Sequence, residues 1–161
     1  MPDDFIGSWK TSTDREDAAE VMVTLIEKAT GKTMAQIAAT EDWDLTTSHF
    51  SDTSNPAVTF LKYAGATQGV GGNVYDTEGT YTRAQIVIMI GRVAERFFDA
   101  KMEGSNPFND MGAHSWAIPF VSYAVDNGIT QGAGQGRFNP GGILSNQETI
   151  VFLYRAFGAW Q

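Results

Sequence analysis

The sequence predicts a mainly helical protein built from a repeated unit, and two observations carry this prediction. Residues 65–97 and 128–160 align without a gap, and both begin with a glycine followed two residues later by Thr-Gln-Gly. Each segment then ends in a stretch whose apolar residues recur at intervals of three and four, which is typical of one buried helix face. Little strand is expected.

Each full unit has the same predicted layout. A Phe-x-Asp motif, at 50–52 and at 108–110, precedes a short helix at about residues 56–64 and about residues 117–127. A glycine ends each short helix, as helix C-caps commonly do. A glycine-rich turn region follows, and a longer helix completes the unit.

A capping box begins each of the longer helices. Thr82 with Gln85, and Ser145 with Glu148, have the spacing of a side-chain cap and its reciprocal partner, worth about 1 kcal/mol of helix stability. The predicted buried faces are Ile86, Met89, Ile90, Val93 and Phe97 in the first helix, and Thr149, Phe152, Leu153, Ala156 and Trp160 in the second.

A third, partial copy lies at the front of the chain, where residues 13–31 match the capped helix and place Arg15 on Arg83. We therefore predict one domain over residues 1–161. It comprises a partial repeat at 11–48, with a capped helix and a connector, and full repeats at 49–106 and 107–161.

Composition excludes several functions. A formal net charge of -8, with 11 basic residues, argues against nucleic acid as a partner. The absence of cysteine excludes disulfides and thiol catalysis. No segment suits membrane insertion, and the signal peptide of an exported protein would lie outside this sequence. His49 and His114 suggest no catalytic pair, so we expect no enzyme, metal or cofactor.

Together the motifs resemble the S-layer homology module. Its pattern of aromatic-x-Asp, Trp-Ala, Gly-Ile-x-x-Gly, Phe-x-Pro and a capped helix fits residues 107–160 best. The copy at 49–98 lacks the tryptophan and has Val-Tyr-Asp-Thr at 74–77 in place of Phe-x-Pro, and residues 11–31 match only the helix.

The resemblance implies a fold and a function. Such modules form a pseudo-threefold helical spindle, with a central bundle of capped helices and glycine-rich loops. They anchor exported bacterial proteins noncovalently to the cell wall or S-layer, commonly by holding an anionic secondary polysaccharide in grooves between copies. In that family the arginine of Thr-Arg-Ala-Glu, with nearby Asp, Gly and Trp residues, contacts the glycan.

The first-turn arginines are the sharpest site candidates. A cation is mildly unfavourable at a helix N-terminus, and capping does not require Arg15 or Arg83. Beside free N–H groups, such an arginine would form a compact anion site suited to a carboxylate. Asn146 replaces the arginine in the last repeat, so we expect the ligand of that groove to be lost or changed.

The other candidates have alternative interpretations. Asp52 and Asp110 could cap the short helices, pair with an arginine or bind glycan hydroxyls. Trp116 could belong to the core or stack on a sugar. The full set of predicted glycan-binding residues is Arg15, Arg83, Asn146, Asp52, Asp110, Trp116, Gly71, Gly72, Gln85 and Glu148.

A second function stays open at this point. Asn146, the incomplete first copy and the missing tryptophan of the second copy would also suit a divergent scaffold of the same fold. Such a scaffold would bind a protein partner or further copies of itself rather than a glycan.

Overall fold

Helices joined by glycine-rich turns make up the computed structural model, which describes residues 13–161. Among these residues, β-contacts are limited to isolated bridges. The predicted mainly helical class is confirmed, while residues 11 and 12 of the predicted partial repeat lie outside the described residues. The helices are α1 (Arg15–Thr30), α2 (Met34–Glu41), α3 (Pro56–Tyr63), α4 (Arg83–Phe98), a 3₁₀ helix (Gly112–Ala117), α5 (Ile118–Asp126) and α6 (Asn146–Ala159).

Both predicted capping boxes are present. At the start of α4, the Thr82 hydroxyl accepts from the Gln85 N–H at 3.2 Å, and the Gln85 side chain accepts from the Thr82 N–H at 3.0 Å. Ser145 and Glu148 make the same exchange at α6. The cap of α1 is Asp14, whose carboxylate accepts from the third helical N–H. Local sequence therefore sets where the three long helices begin.

The three long helices α1, α4 and α6 form the core, and each contacts the other two. The predicted apolar faces point inward, although Phe97 at the end of the α4 face stays half-buried. The pseudo-threefold symmetry of the spindle stays a prediction. Fully buried members of the core include Met22, Ile26, Ile86, Ile90, Val93 and Ala156.

Each short helix packs on the long helix of the preceding repeat, α3 on α1 and α5 on α4. Asn55 illustrates how α3 is placed. Its side-chain oxygen caps α3 by accepting from the Ala57 N–H at 2.9 Å, and its amide nitrogen donates to the Glu20 carboxylate of α1 at 2.7 Å. Each packed pair thus joins helices from two successive predicted repeats. The division into repeats at 49–106 and 107–161 stays a sequence-based prediction.

The connector of the first repeat covers one side of α3. Trp43, just after α2, stacks on Tyr63 with ring centroids 5.5 Å apart and meets Phe60 edge-on at 5.3 Å. Its face also lies under the Arg96 guanidinium, 5.4 Å away. The connector therefore ties α2 and α3 to the C-terminal end of α4.

The Phe-x-Asp motif packs its aromatic ring against a glycine of the following turn. A Cβ placed on Gly69 would lie 2.6 Å from the Phe50 ring, and one placed on Gly132 would lie 2.4 Å from the Phe108 ring. Both glycines also have positive φ, +74° and +90°. The glycine that ends the shared Thr-Gln-Gly sequence is therefore required by backbone geometry and by packing.

Gly132→Ala should be much more disruptive than Gly128→Ala. Gly128 also has positive φ but open space around it, so its substitution costs only the left-handed backbone term of about 1–2 kcal/mol. At Gly132 the added methyl would also collide with the Phe108 ring and the Arg137 carbonyl, adding about 1–3 kcal/mol. Urea unfolding measures both variants, and equal losses would contradict the packing argument.

Candidate functional site

The first-turn arginines Arg15 and Arg83 are buried, with only 4% and 7% of their surface exposed. Each reaches into the glycine-rich turn of the following repeat. The Arg15 Nε donates to the Tyr75 carbonyl at 2.8 Å, and the Arg83 Nε donates to the Phe138 carbonyl at 2.7 Å. Both arginines are therefore part of the junction between successive repeats.

The N–H groups beside these arginines are occupied. The Arg15 N–H donates to the Gly79 carbonyl at 2.8 Å, and the Arg83 N–H donates to the Gly142 carbonyl at 2.9 Å. The next N–H of α4, that of Ala84, donates to a turn carbonyl as well. The helix N–H groups beside the arginines are therefore not free as predicted, because the following turn supplies carbonyls that satisfy them, while an anion site at the arginines themselves stays a prediction.

Aromatic rings hold the two guanidinium groups at 4.3–5.1 Å from their centroids. Ring faces carry negative electrostatic potential and stabilise a cation that has lost part of its water. Burial lowers the pKa of Arg83, while the carboxylates of Glu148 and Asp110 oppose that shift. The ring contacts are Arg15 over Tyr75 and Tyr81, and Arg83 over Phe138 and Phe152.

The two arginines differ in their charge balance. Arg83 lies 3.7 Å from a Glu148 carboxylate oxygen, so its charge is partly compensated within the protein. Gln85 occupies the corresponding position in the preceding repeat, and no carboxylate of the described residues forms an ion pair with Arg15. Within residues 13–161, the charge of Arg15 is therefore balanced by aromatic rings and a carbonyl rather than by a carboxylate.

Asn146, the residue that replaces arginine in the last repeat, is also buried. Its side-chain oxygen accepts a hydrogen bond from the Thr13 hydroxyl at 2.6 Å. The start of α6 is thus joined to the start of α1 by neutral groups. The predicted loss or change of ligand at this position stays a prediction.

Replacing either arginine by leucine should lower the free energy of unfolding. Arg15→Leu leaves the Tyr75 carbonyl without its donor, and Arg83→Leu does the same to the Phe138 carbonyl, for a loss of about 1–3 kcal/mol each. The exposed Lys28 provides a control, since Lys28→Leu should change stability by less than about 0.5 kcal/mol. Losses no larger than the control would contradict a structural role for the arginines.

Asp52 and Asp110 do not cap the short helices, so that prediction is wrong. Both oxygens of each carboxylate instead accept backbone N–H groups from the turn more than 20 residues later. Asp52 binds the N–H groups of Tyr75 and Asp76, and Asp110 binds those of Phe138 and Asn139, at 2.7–2.8 Å. The cap of α3 is Asn55, and a glycan contact of either aspartate stays a prediction.

These hydrogen bonds affect the ionisation of both carboxyls. The bonds from the turn, chiefly that from Tyr75, lower the pKa of Asp52. At Asp110 burial favours the protonated form, yet the Phe138 and Asn139 N–H groups outweigh it and lower the pKa. Each aspartate is thus held ionised by the turn that it fixes.

Asp110→Asn should destabilise the protein at neutral pH. The folded-state pKa of Asp110 is depressed, so its stabilising effect is complete above the unfolded value of about 4 and is lost as pH falls through the folded value. We expect the variant's melting temperature to be a few degrees lower at pH 7, with a gap that narrows in acid. Glu78→Gln, at an exposed position, removes the same charge as a control. A difference in melting temperature that does not change with pH would contradict the stabilising role of the ionised Asp110 carboxylate.

One groove combines residues of all three predicted repeats. It has a volume of about 200 Å³ and is lined by Arg15 of α1, Gln85 and Arg92 of α4, and Trp116 of the 3₁₀ helix. The backbone and side chains of residues 66–69 form its remaining polar wall. None of the described residues that line it is acidic. The groove can therefore offer cations, amides and an aromatic face to one ligand.

Trp116 decides one of the open alternatives. It is 56% exposed and lines the groove, so it is not a core residue. Its ring is 5.9 Å from that of His114. A stacking role for Trp116 stays a prediction, and the geometry leaves its ring accessible for one.

The structure brings together some of the predicted site residues and separates others. Arg15, Gln85 and Trp116 meet in the groove, whereas Gly71 and Gly72 form an exposed tight turn with positive φ outside it. Sequence reasoning missed Thr67, Gln68 and Arg92 as lining residues. The gapless alignment of the two Thr-Gln-Gly segments was the signal in the sequence that could have pointed to Thr67 and Gln68.

Comparison with known proteins agrees with this architecture. The family model "S-layer homology domain" matches residues 107–148. These residues are therefore similar to an S-layer homology domain. The match lies within the predicted last repeat, and the assignment of the two earlier segments as copies of the same domain rests on the internal alignment.

Two relatives extend the similarity beyond residues 107–148. A protein described as "Cell surface protein" from Thermoanaerobacter kivui is 29% identical over 63% of this chain. A protein described as "Middle cell wall protein" from Brevibacillus brevis is 27% identical over 86% of it. The matched region spans 14% of each relative.

The domain and these relatives indicate an extracellular location at the cell wall or S-layer, and they support cell-wall anchoring in general. No helix among residues 13–161 combines the length and apolar character needed to cross a membrane.

Proposed function

We propose that this domain anchors its protein to the cell wall by binding an anionic wall polysaccharide in the groove between Arg15 and Trp116. The observation that carries the proposal is the convergence of Arg15, a second arginine and an exposed tryptophan in one groove, where none of the described residues is an acidic lining residue or pairs with the buried Arg15.

Each part of the groove suits one part of an acidic sugar. The Arg15 Nε is engaged by Tyr75, which fixes the guanidinium plane, and no other described residue hydrogen-bonds its two terminal nitrogens. A fixed guanidinium can bind a carboxylate or phosphate through two parallel N–H donors. Trp116 offers a flat apolar face to a sugar ring, and Thr67, Gln68 and Gln85 offer hydrogen-bonding groups to its hydroxyls.

The local charge supports an anionic ligand over a neutral one. The chain as a whole carries a formal charge of -8, so a cationic groove on it is a specific feature rather than a general property of the surface. At the equivalent place in the next repeat, Glu148 compensates Arg83. We assign the anion to Arg15 for this reason.

The proposed role is binding without catalysis. Most glycoside hydrolases use two carboxyl groups on either side of the bond that is cleaved. The described lining residues of the groove supply none. An anchor needs a polymer that it binds reversibly and does not cleave.

Trp116→Ala should weaken binding to purified cell walls by about tenfold or more, because an exposed aromatic at the centre of a binding site commonly dominates affinity. Tyr154→Ala removes an even more exposed aromatic, 74% accessible, outside the groove and provides the matched control. Co-sedimentation with walls from a bacterium that carries surface proteins of this family measures the effect, and urea unfolding should show both variants to be equally stable.

Two further measurements extend this experiment, one at raised salt and one with walls that lack the acidic polymer. Binding should weaken as NaCl is raised, since part of it depends on exposed charges. Walls stripped of their acidic polysaccharide should no longer retain the protein. If Trp116→Ala sediments as well as the unaltered chain, the groove is not the wall-binding site. Retention on stripped walls would favour a different ligand, such as a protein partner.

A further inference from the structure

We infer that the ligand is an extended polyanionic saccharide that runs along one face of α4, rather than a single acidic sugar held at the groove. This inference rests on the proposed function and specifies the length and charge pattern of its substrate. It depends on three cavities that follow one another along the same helix.

The cavities are joined through shared arginines. The groove shares Arg92 with an open cleft of about 410 Å³, which is also lined by Gly65 and Glu95. That cleft shares Arg96 with a third cavity of about 380 Å³ at the C-terminal end of α4. Lys32, in the segment between α1 and α2, lines the third cavity. The three cavities are therefore neighbours in a row from Trp116 to Lys32, which we call the path.

The register of α4 places this path on one face. The lining residues recur at intervals of three and four, so their side chains leave the helix in nearly the same direction. From the first to the last of them the helix rises by about 16 Å, at about 1.5 Å per residue, which exceeds the length of one monosaccharide. These lining residues are Gln85, Ile88, Met89, Arg92, Glu95 and Arg96.

The path carries an unusual share of the positive charge. Of the 11 basic residues in the chain, Arg15, Arg92, Arg96 and Lys32 line it. Two carboxylates also line it, Glu95 in the middle and Glu41 at the far end. Glu41 pairs with Arg96, so the cations of the path that no described carboxylate pairs with are Arg15, Arg92 and Lys32. Their spacing on an otherwise acidic protein suits a polymer with repeated negative charges.

Fixed geometry supports recognition at the far end of the path. Arg96 is held between the Glu41 carboxylate, at 2.5 Å, and the ring of Trp43. Phe97 and Phe98 are half-buried and line the third cavity. The far end therefore repeats the combination of a positioned arginine and aromatic surface found at the groove.

Length-graded fragments of an acidic wall polysaccharide, titrated calorimetrically into the full chain, test the inference. Fragments of several repeating units should bind at least about tenfold tighter than a single repeating unit. Lys32→Gln should reduce the affinity for long fragments by about two- to fivefold, as expected for an exposed ion pair, and should affect the single unit less.

Lys101→Gln removes an equally exposed positive charge that lines none of the three cavities, and it provides the matched control. Equal affinity for long fragments and single units would overturn the extended path while leaving the groove as the site. The extended path would also be overturned if Lys32→Gln reduced the affinity for long fragments by no more than the Lys101→Gln control. Failure of every fragment to bind the unaltered chain would overturn the proposed function and the path together.

Discussion

The structure depends on how the first turn of each long helix is satisfied. A helix begins with N–H groups that have no partner within the helix, and burying them unpaired is costly. At α1 and α4 the glycine-rich turn of the following repeat supplies the missing carbonyls, through Gly79 and Gly142. The first-turn arginine binds the same turn through its Nε and lies over an aromatic ring of that turn. Attraction to carbonyls and rings outweighs the unfavourable position of a cation at a helix N-terminus.

This junction also shapes the surface between repeats. Because Asp52 and Asp110 fix the turns through two backbone hydrogen bonds each, the turns hold their positions against the preceding helices. Each short helix packs on the same preceding long helix. A groove forms where Trp116, carried by the element before α5, reaches the junction of Arg15 with its turn. Parts that are distant in sequence therefore meet at a place that the repeat architecture itself creates.

Small differences between equivalent positions change the charge of each junction. The capping box accepts either Gln85 or Glu148 with little structural consequence, since both side chains accept the same backbone N–H. Only Glu148 adds a negative charge beside an arginine. At the start of α6, Asn146 stands in place of the arginine, so the position carries no charge, and its side chain accepts a hydrogen bond from Thr13. Equivalent backbones thus present different electrostatic surfaces, which is why wall binding is proposed for the Arg15 groove.

The sequence by itself determined the three long helices and the short helices α3 and α5, because caps and apolar spacing act over a single turn or along one face, whereas α2 lies in a segment that the sequence predicted only as a connector. Thr82 with Gln85, Ser145 with Glu148 and the buried faces of α4 and α6 all follow from such local rules. Only the tertiary structure decided the environment of Arg15 and Arg83, the partners of Asp52 and Asp110 and the exposure of Trp116. Each of these depends on which distant segment packs against it, and the sequence gives no local signal for a carbonyl or an N–H group more than 20 residues away. The arginine that looked misplaced at a helix start is explained by a turn that the following repeat brings to it.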